Sequence, residues 1–543
     1  MCFRNNVFTL IVVSFALAVS ANNPVFAFDA GTFLRELEDS AKKEGNSFTY
    51  KSFEDSSDGS FTVNAVRIDD RKNDLTIDIE NLKFDNPEEL GDKGLRFDGL
   101  EATNYLQRGG GEKDEDLEIT AARLVATDFN LYNLDDQESP LWPADMGSLQ
   151  LQDVKITSKD EEGSVVLESP GLTLQNLEAK KGTNFVLQSF DMEPATGAIN
   201  RSGNVLDMGF DGLRMANVEH FGTLGFEMGS FEIGTLRITG KDEKGQDIDF
   251  NFGGLAAENL YIADPTANDR PLMSKKPLTA EVKKLNVSLN GKDFMGWAGG
   301  TGSYIYDETT KTGTGIGNFS DLFVDFSAAP MKPEDQKNLE QLKAMGYERL
   351  SMNIEGKGSW NLESGALDID KYRFEFVDAG SIELAMHLSG YTEEVARSVS
   401  RLANDVNLET DPEKKNLKSM QMLAALTSLA INSIKISVED NSLLDKVISL
   451  QATHLNQEPQ QIKQIVGPMA QVMLAPYNVP EFAAAITLAL DKFMQGNKTI
   501  SVSAMPTNGL VITEIIALSS GVQAGQVKPA EIIERLNLEV VTE

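Results

Sequence analysis

The chain is poor in the residues that build covalent or metal-held frameworks. Its 543 residues include one cysteine, Cys2, three histidines and three tryptophans. A single cysteine excludes an internal disulfide, and the histidines lie far apart, so the ligand spacing of a zinc site is missing. The fold must therefore depend on a hydrophobic core, for which a hydrophobic fraction of 41% is sufficient.

Basic residues are also scarce. The sequence has 49 Lys and Arg against 83 Asp and Glu, which gives a net charge of −34. This acidity excludes nucleic acid as a partner, because phosphates require a basic surface, and it disfavours electrostatic attachment to anionic membranes. The length alone predicts about two to four domains.

Catalytic motifs are missing as well. The sequence has no His-Glu-x-x-His, no Gly-x-Ser-x-Gly and no P-loop. Acidic stretches at 112–116 and 242–249 offer oxygen ligands, but they lack the calcium-loop pattern and are typical of solvated hairpin tips. We therefore expect no enzyme activity, no cofactor and no metal. A hydrolase that uses two carboxylates is the third alternative for the function.

Residues 1–27 are predicted to be a cleaved secretory signal peptide. The apolar run at 7–19 is shorter than the roughly 20 residues that span a bilayer. Cleavage is expected after Ala27, with Ala21 as the alternative site and an uncleaved signal anchor as the rival interpretation. Cys2 would leave with the signal, and a secreted chain without disulfides indicates the bacterial periplasm.

Internal repetition is the most informative feature that is present. The stretches that begin at Gly147-Ser148 and Gly229-Ser230 share an apolar alternation, a basic residue before Ile-Thr and a polar turn. A shorter signature, Gly-Leu-x-x-x-Asn, begins at Gly99, Gly171, Gly212 and Gly254. Its last three copies are 41 and 42 residues apart. The alternation predicts β-hairpins, and the recurrent glycines are expected to mark bends or bulges.

The hairpin turns and the second half of the chain give further predictions. Turns that end at Gly163 and Gly245 predict loops with a positive φ at the glycine. The alternation along residues 382–388, where Ile382 and Leu384 begin the apolar set, predicts a strand. After about residue 392 the apolar period becomes helical, and prolines at 412, 480 and 529 indicate helix starts. Helices are predicted at 332–345, 393–403, 412–431, 442–454, 458–474, 480–494 and 529–536, and short strands at 433–438, 499–504 and 538–541.

Two local predictions concern the helical part. Ser442 with Asp445 three residues later predicts a capping box. The apolar stripe on the helix predicted at 412–431 is expected to lie in the core rather than to form a lipid-binding face; its residues are Leu417, Met420, Met422, Leu423 and Ala424.

A resemblance to a known family is carried by residues 171–177, 212–218 and 254–260, each a Gly-Leu-x-x-x-Asn followed by Leu or Val. With the signal peptide and the lack of catalytic motifs, they resemble the AsmA-like β-groove proteins of Gram-negative envelopes over roughly residues 60–390. Residues 359–368 and 436–443 are also similar to uncharacterised α-proteobacterial envelope proteins. The resemblance implies a groove that shields lipid chains, a role in outer-membrane maintenance and no catalytic residues. Family members are held by an uncleaved N-terminal membrane helix, whereas the N-terminal segment of this chain is predicted to be cleaved.

The sequence therefore predicts a mainly β protein, with an elongated antiparallel sheet of repeated hairpins followed by an α+β, mostly helical module. The expected parts are a signal peptide (1–27), a repeated hairpin region (28–275), a second hairpin region with one inserted helix (276–391) and the helical module (392–543).

The predicted function is non-enzymatic binding of a lipid or an envelope protein along the sheet, without an integral membrane span in the mature chain. A structural or adaptor protein with a closed β core is the alternative. The ligand-facing residues are predicted to be Leu100, Leu172, Leu213 and Leu255.

Overall fold

The computed structural model describes residues 28–543 except 44, 72–73, 90–93, 110–115, 133–143, 161, 180–184, 202, 222–224, 265–269 and 329–335. The predicted signal peptide lies outside the described residues. Strands account for 54% and helices for 25% of the structure, which confirms a mainly β protein with a large antiparallel sheet of hairpins and a helical C-terminal region.

The chain divides into two compact units. Unit 1 comprises Met1–Ala267 and Ser288–Gly291, and unit 2 comprises Asn268–Val287 and Lys292–Glu543. Residues of the predicted second hairpin region and of the predicted helical module therefore lie together in unit 2. The boundaries of those regions stay predictions.

The strands pair antiparallel, either with the next strand or, where a long strand is broken in two, with one further along the chain. They are β1 (Ser47–Thr49), β2 (Ser52–Asp55), β3 (Phe61–Asp70), β4 (Leu75–Asp85), β5 (Glu88–Glu89), β6 (Gly94–Gly109), β7 (Asp116–Tyr132), β8 (Ala144–Asp160), β9 (Gly163–Ala179), β10 (Phe185–Met192), β11 (Ala195–Arg201), β12 (Asn204–Phe210), β13 (Leu213–Phe221), β14 (Gly225–Ile233), β15 (Leu236–Lys241), β16 (Asp247–Phe252), β17 (Leu255–Ile262), β18 (Leu278–Val282), β19 (Leu285–Leu289), β20 (Lys292–Trp297), β21 (Gly299–Asp307), β22 (Thr312–Asp325), β23 (Arg349–Asn361), β24 (Leu367–Phe376), β25 (Gly380–Ser389), β26 (Ala430–Asp440), β27 (Thr499–Ala504), β28 (Leu510–Val511) and β29 (Leu538–Thr542).

Among the described residues, one α-helix precedes the strands and the other α-helices belong to unit 2. They are α1 (Ala30–Lys43), α2 (Gln336–Ala344), α3 (Glu393–Leu408), α4 (Pro412–Ala425), α5 (Leu443–Leu455), α6 (Pro459–Leu474), α7 (Pro480–Met494), α8 (Ile512–Gln523) and α9 (Pro529–Leu536). The predicted bounds of α7 and α9 are confirmed. The helix predicted at 412–431 is too long, because β26 begins at Ala430, and α8 was not predicted.

The predicted capping box at Ser442 is wrong. The Ser442 hydroxyl donates to the carbonyl oxygen of Asp378, and Oδ1 of Asp440 accepts from the Leu444 amide at 2.8 Å, so another side chain serves this helix start. A capping box does occur one helix later, where Glu458 and Gln461 exchange hydrogen bonds at the start of α6.

Two lines of bulges, which we call the bulge lines, cross the sheet of unit 1. Along each line the pairing is interrupted, and a residue with positive φ on one strand lies opposite a residue without it on the next: Met146 faces Leu177 and Ser148 faces Gln175, so Gly147 lies opposite Asn176. The first line runs through Asp98, Asp128, Gly147, Asn176, Gln188, Asn217, Gly229 and Asn259. The second line runs through Ala65, Glu80, Asn104, Ala122, Asp153 and Pro170.

The left-handed positions explain the repeated signature. All four of its asparagines have positive φ angles of 49° to 53°; they are Asn104, Asn176, Asn217 and Asn259. Asparagine tolerates this region better than other residues with a Cβ. Of the four glycines, Gly212 and Gly254 have positive φ, at strand breaks, but Gly99 and Gly171 do not, so the expected bend belongs to the asparagine in every copy. Similarly, Gly245 has the predicted positive φ of 76°, whereas Gly163 is not left-handed.

The glycines that open the long repeats have a different role. Each faces a left-handed residue of the neighbouring strand. A Cβ on Gly147 would lie 2.9 Å from Oδ2 of Asp128, and one on Gly229 would lie 2.9 Å from Nδ2 of Asn217. The Gly-Ser pairs therefore provide space for the side chain that the bulge turns outward.

Candidate functional site

The inner face of unit 1 is covered by α1 over its first strands. Ala30, Phe33, Leu34, Leu37 and Ala41 form one side of α1 and are at most 6% exposed. They belong to one core that extends from β3 to β13. The spacing of these residues is that of an amphipathic helix, so α1 is a second layer on the sheet.

A polar pair is enclosed in this core. The Tyr105 hydroxyl donates to Oε1 of Gln107 at 2.8 Å, and both residues are at most 1% exposed. Burial raises the pKa of the Tyr105 hydroxyl above its usual range. Nε2 of Gln107 has no hydrogen-bond partner among the described residues.

From β9 to β17 the same face continues, and as far as β13 its buried residues still belong to the core that contains α1. The pairing places apolar residues opposite one another from strand to strand, and two neighbouring rows show this: Leu174, Phe190, Met215, Phe231 and Ala257, and Leu172, Met192, Leu213, Ile233 and Leu255. The first row contains buried members, whereas every residue of the second row is half-buried. A single sheet face that is apolar over five strand positions requires a cover.

The structure brings three of the four predicted ligand-facing residues together. Leu172, Leu213 and Leu255 occupy the second of these rows on alternate strands, so neighbours are about 10 Å apart. Leu100 belongs to the first row, through Ala126 and Leu149, and is 2% exposed within the core that includes α1. Leu100 is therefore a core residue, whereas Leu172, Leu213 and Leu255 are half-buried. Leu172 and Leu213 pack against the edge of the same core.

Polar side chains at the described inner positions of β9–β17 include Ser169 and His220. Ser169 is 5% exposed, and its hydroxyl donates to the carbonyl oxygens of Gly171 and Glu193 at 3.0 and 3.1 Å. His220 lies between two phenylalanine rings, with ring centroids 5.3 Å from Phe185 and 4.7 Å from Phe226. Neither residue breaks the two central rows, so the apolar lines cross the strands without a polar member.

The outer face of unit 1 is charged. Cross-strand ion pairs cover it, among them Arg123–Glu101 at 2.5 Å, Lys155–Glu168 at 2.7 Å and Arg237–Asp249 at 3.1 Å. Apolar and charged residues thus lie on opposite faces of the same strands. This segregation favours a sheet that contacts water on one side and an apolar layer on the other.

Unit 2 has an apolar sheet face of its own. Tyr372, Leu384, Ile436, Val502 and Val540 face one another across β24–β29, and Tyr372, Ile436 and Val502 are 41%, 47% and 41% exposed. The opposite face is polar but better buried, since Ser381, Ser501 and Ser503 are at most 8% exposed. The predicted alternation along β25 is therefore present, with Ile382 on the more exposed side at 45%.

The α4 stripe is not in the core, so that prediction is wrong. Leu417, Met420 and Leu423 are 58%, 62% and 46% exposed, and α4 has no buried residue among those described. Met422 is the one half-buried member of the stripe, together with Lys418, Ser419 and Ala425 outside it, and the other four stripe residues are exposed.

His387 and the acidic loop at 242–249 make hydrogen bonds with nearby residues. His387 is exposed and pairs with Asp368 across the sheet, with Nδ1 2.8 Å from Oδ1. In the acidic loop at 242–249, Oδ1 of Asp242 accepts from the amides of Lys244 and Gln246 at 2.9 and 2.8 Å. Within the described ranges, no three His, Cys, Asp or Glu side chains are grouped to hold a metal ion, and no helix is long and apolar enough to cross a membrane.

Comparison with known proteins adds one match. A family model described as "Uncharacterized protein" matches residues 373–543, which is less than a third of the chain. The matched segment begins within β24 and contains α3–α9. No curated protein matches the sequence.

Proposed function

We propose that this protein is a non-enzymatic, periplasmic binder of apolar, lipid-like ligands, and that the inner face of β9–β17 is its binding surface. The observation that carries the proposal is the pair of uninterrupted apolar rows that contain Leu172, Leu213 and Leu255. Their half-buried side chains offer contact to an acyl chain, whose transfer from water gains about 0.8 kcal/mol for each buried CH₂ group.

The resemblance to AsmA-like proteins supports the same function. It rests on the recurrent Gly-Leu-x-x-x-Asn, whose asparagines at 176, 217 and 259 lie on the first bulge line. The bulges keep Leu174 and Leu177, three residues apart, on one side of β9, where they are 1% and 4% exposed. Ordinary alternation would place them on opposite sides.

A closed β core is the second candidate, and one observation favours it. α1 covers the same face over the first strands so completely that Leu34 and Phe33 are 0% and 6% exposed. A protein partner that covered β9–β17 in the same manner would make the chain an adaptor rather than a lipid binder.

Native mass spectrometry of the chain from Phe28, purified without detergent, tests the proposal. Co-purified acyl ligand is expected in the wild type, retained in Val205→Asp and lost in Leu213→Asp. Val205 is the matched control, because it is 55% exposed and faces Asn200 on the outer side of β12. Ile262→Asp is a milder second variant at the inner face, since Ile262 is already 46% exposed.

A bare polypeptide mass would refute ligand binding, provided that a known lipid binder keeps its lipid under the same conditions. Equal retention in Val205→Asp, Leu213→Asp and Ile262→Asp would place the ligand elsewhere on the protein.

A further inference from the structure

α6 has one buried side and one accessible side. Ile462 and Gly467 are buried. Ile462 packs with Ile448 and Ala452 of α5 and with Met494 of α7. A Cβ on Gly467 would overlap the carboxylate of Asp491, so the backbone of α6 approaches α7 closely. These contacts fix which side of α6 faces outward.

The accessible side of α6 carries exposed apolar residues with uncharged glutamines beside them. Ile465, Met469, Val472 and Met473 are 47%, 56%, 72% and 70% exposed, and Tyr477 in the following turn is 55% exposed. The helical residues have the spacing i, i+4, i+7 and i+8, which places them on one face. We call these five residues the α6 patch.

The charge around the α6 patch differs from that of the chain as a whole. Residues 459–480 contain one charged residue, Lys463, although 24% of the chain is charged and its net charge is −34. Nζ of Lys463 is 2.6 Å from Oδ1 of Asp445, so this lysine is already paired. The patch thus presents apolar side chains without a carboxylate that lipid phosphates would repel.

We propose that the α6 patch docks on the surface of a lipid bilayer. This inference rests on the proposed function, since an acyl ligand that is insoluble in water must be collected from or delivered to a membrane. An amphipathic helix binds a bilayer by burying its apolar face about 5–10 Å into the headgroup boundary, where tyrosine is also favoured. Acidic surfaces elsewhere are repelled by lipid phosphates, so the charge-poor segment determines the orientation of docking.

Flotation of the whole chain from Phe28 with phosphatidylcholine vesicles tests this proposal. The wild type is expected to float with the vesicles, and Val472→Asp/Met473→Asp is expected to partition at least about tenfold less. Both residues are at least 70% exposed, so the change leaves the packing of α6 intact. Leu417→Asp/Met420→Asp is the matched control on α4, with similar exposure of 58% and 62%, and should float as the wild type does.

A fluorescent label locates the contact. The chain from Phe28 has no cysteine, so Met473→Cys and Leu417→Cys each give a single labelled position. A blue shift with vesicles is expected at 473 and not at 417. Equal shifts, absent flotation of the wild type, or flotation of Val472→Asp/Met473→Asp at the wild-type level would each overturn the proposal.

Two further outcomes separate the alternatives. A wild-type dimer that Val472→Asp/Met473→Asp dissociates, without vesicle binding, would assign the patch to a second copy of the chain and overturn the proposal. The same preparations are analysed for acyl ligand. Ligand without flotation refutes docking alone, whereas flotation without ligand refutes the proposed ligand-binding function alone.

Discussion

The left-handed asparagine of the repeat can be tested by exchanging Asn217 for glycine, alanine and valine. Asn217 has a φ of 51°, where a residue with a Cβ is strained by about 1–2 kcal/mol and a β-branched residue by more. Glycine adopts this φ freely but loses more entropy on folding, at a cost of about 0.5–1 kcal/mol. The expected order of stability is therefore wild type close to Asn217→Gly, then Asn217→Ala, then Asn217→Val.

Hydrogen exchange measured by mass spectrometry on the whole chain is the suitable assay, because it reports β13 and β14 separately from unit 2. A loss of about 1–2 kcal/mol corresponds to about 5- to 30-fold faster exchange of peptides from these strands in Asn217→Ala. Asn251 is the matched control: it is an exposed asparagine of β16 and is not among the left-handed residues. At Asn251, glycine should be worse than alanine. If Asn217→Gly is as destabilising as Asn217→Ala, the positive φ does not explain why asparagine recurs at this position of the repeat.

Two predictions concern the core that includes α1. Leu34→Ala shortens a side chain with 0% exposure, and we expect the free energy of unfolding to fall by about 2–5 kcal/mol. The loss is measured as faster hydrogen exchange of peptides from α1 and β3. An unchanged exchange rate would show that α1 does not stabilise unit 1. For Tyr105, burial raises the pKa of the hydroxyl in the folded state, whereas in the unfolded chain the hydroxyl titrates near pH 10. The contribution of the neutral hydroxyl to the free energy of unfolding is therefore fully present below about pH 10 and is lost as the pH rises further. At pH 8, Tyr105→Phe should lower the free energy of unfolding by about 1 kcal/mol, because Gln107 loses a hydrogen bond. Above pH 10 the urea midpoint of the variant should decline less steeply than that of the wild type, because the titrating hydroxyl is gone. An identical alkaline slope in the variant would contradict this assignment.

Local periodicity predicted much of the fold. The alternation at Ile382 and Leu384 predicted β25, and proline near the helix starts placed α7 and α9. α8 was missed because its sequence is rich in β-branched residues, serine and glycine, which are weak helix formers. The α4 stripe shows the other limit: the spacing of Leu417 and Met420 identifies an apolar side, but not whether another element covers it.

The sequence predicted only part of the candidate face, because a repeated motif does not show where its strand lies in the sheet. The repeats identified Leu172, Leu213 and Leu255, which share one row. They did not separate these residues from Leu100, because the copy at Gly99 lies on a strand that runs in the opposite direction, and its Asn104 belongs to the second bulge line. Strand direction is set by pairing across the sheet and is not encoded in the motif itself.

The bulge lines explain which parts of the repeat keep the same length from copy to copy. Segments 171–188 and 212–229 contain equal numbers of residues, and each ends on the first bulge line, at Gln188 and at Gly229, although successive copies of the signature are 41 and 42 residues apart. The extra residue therefore lies outside these two segments. One residue more or fewer within a strand would turn the following side chains of that strand to the charged face, because the side-chain period of a strand is two. Retaining the inner rows thus requires a fixed number of residues up to the bulge, whereas the turns can vary in length: two residues separate β11 from β12, and five separate β15 from β16.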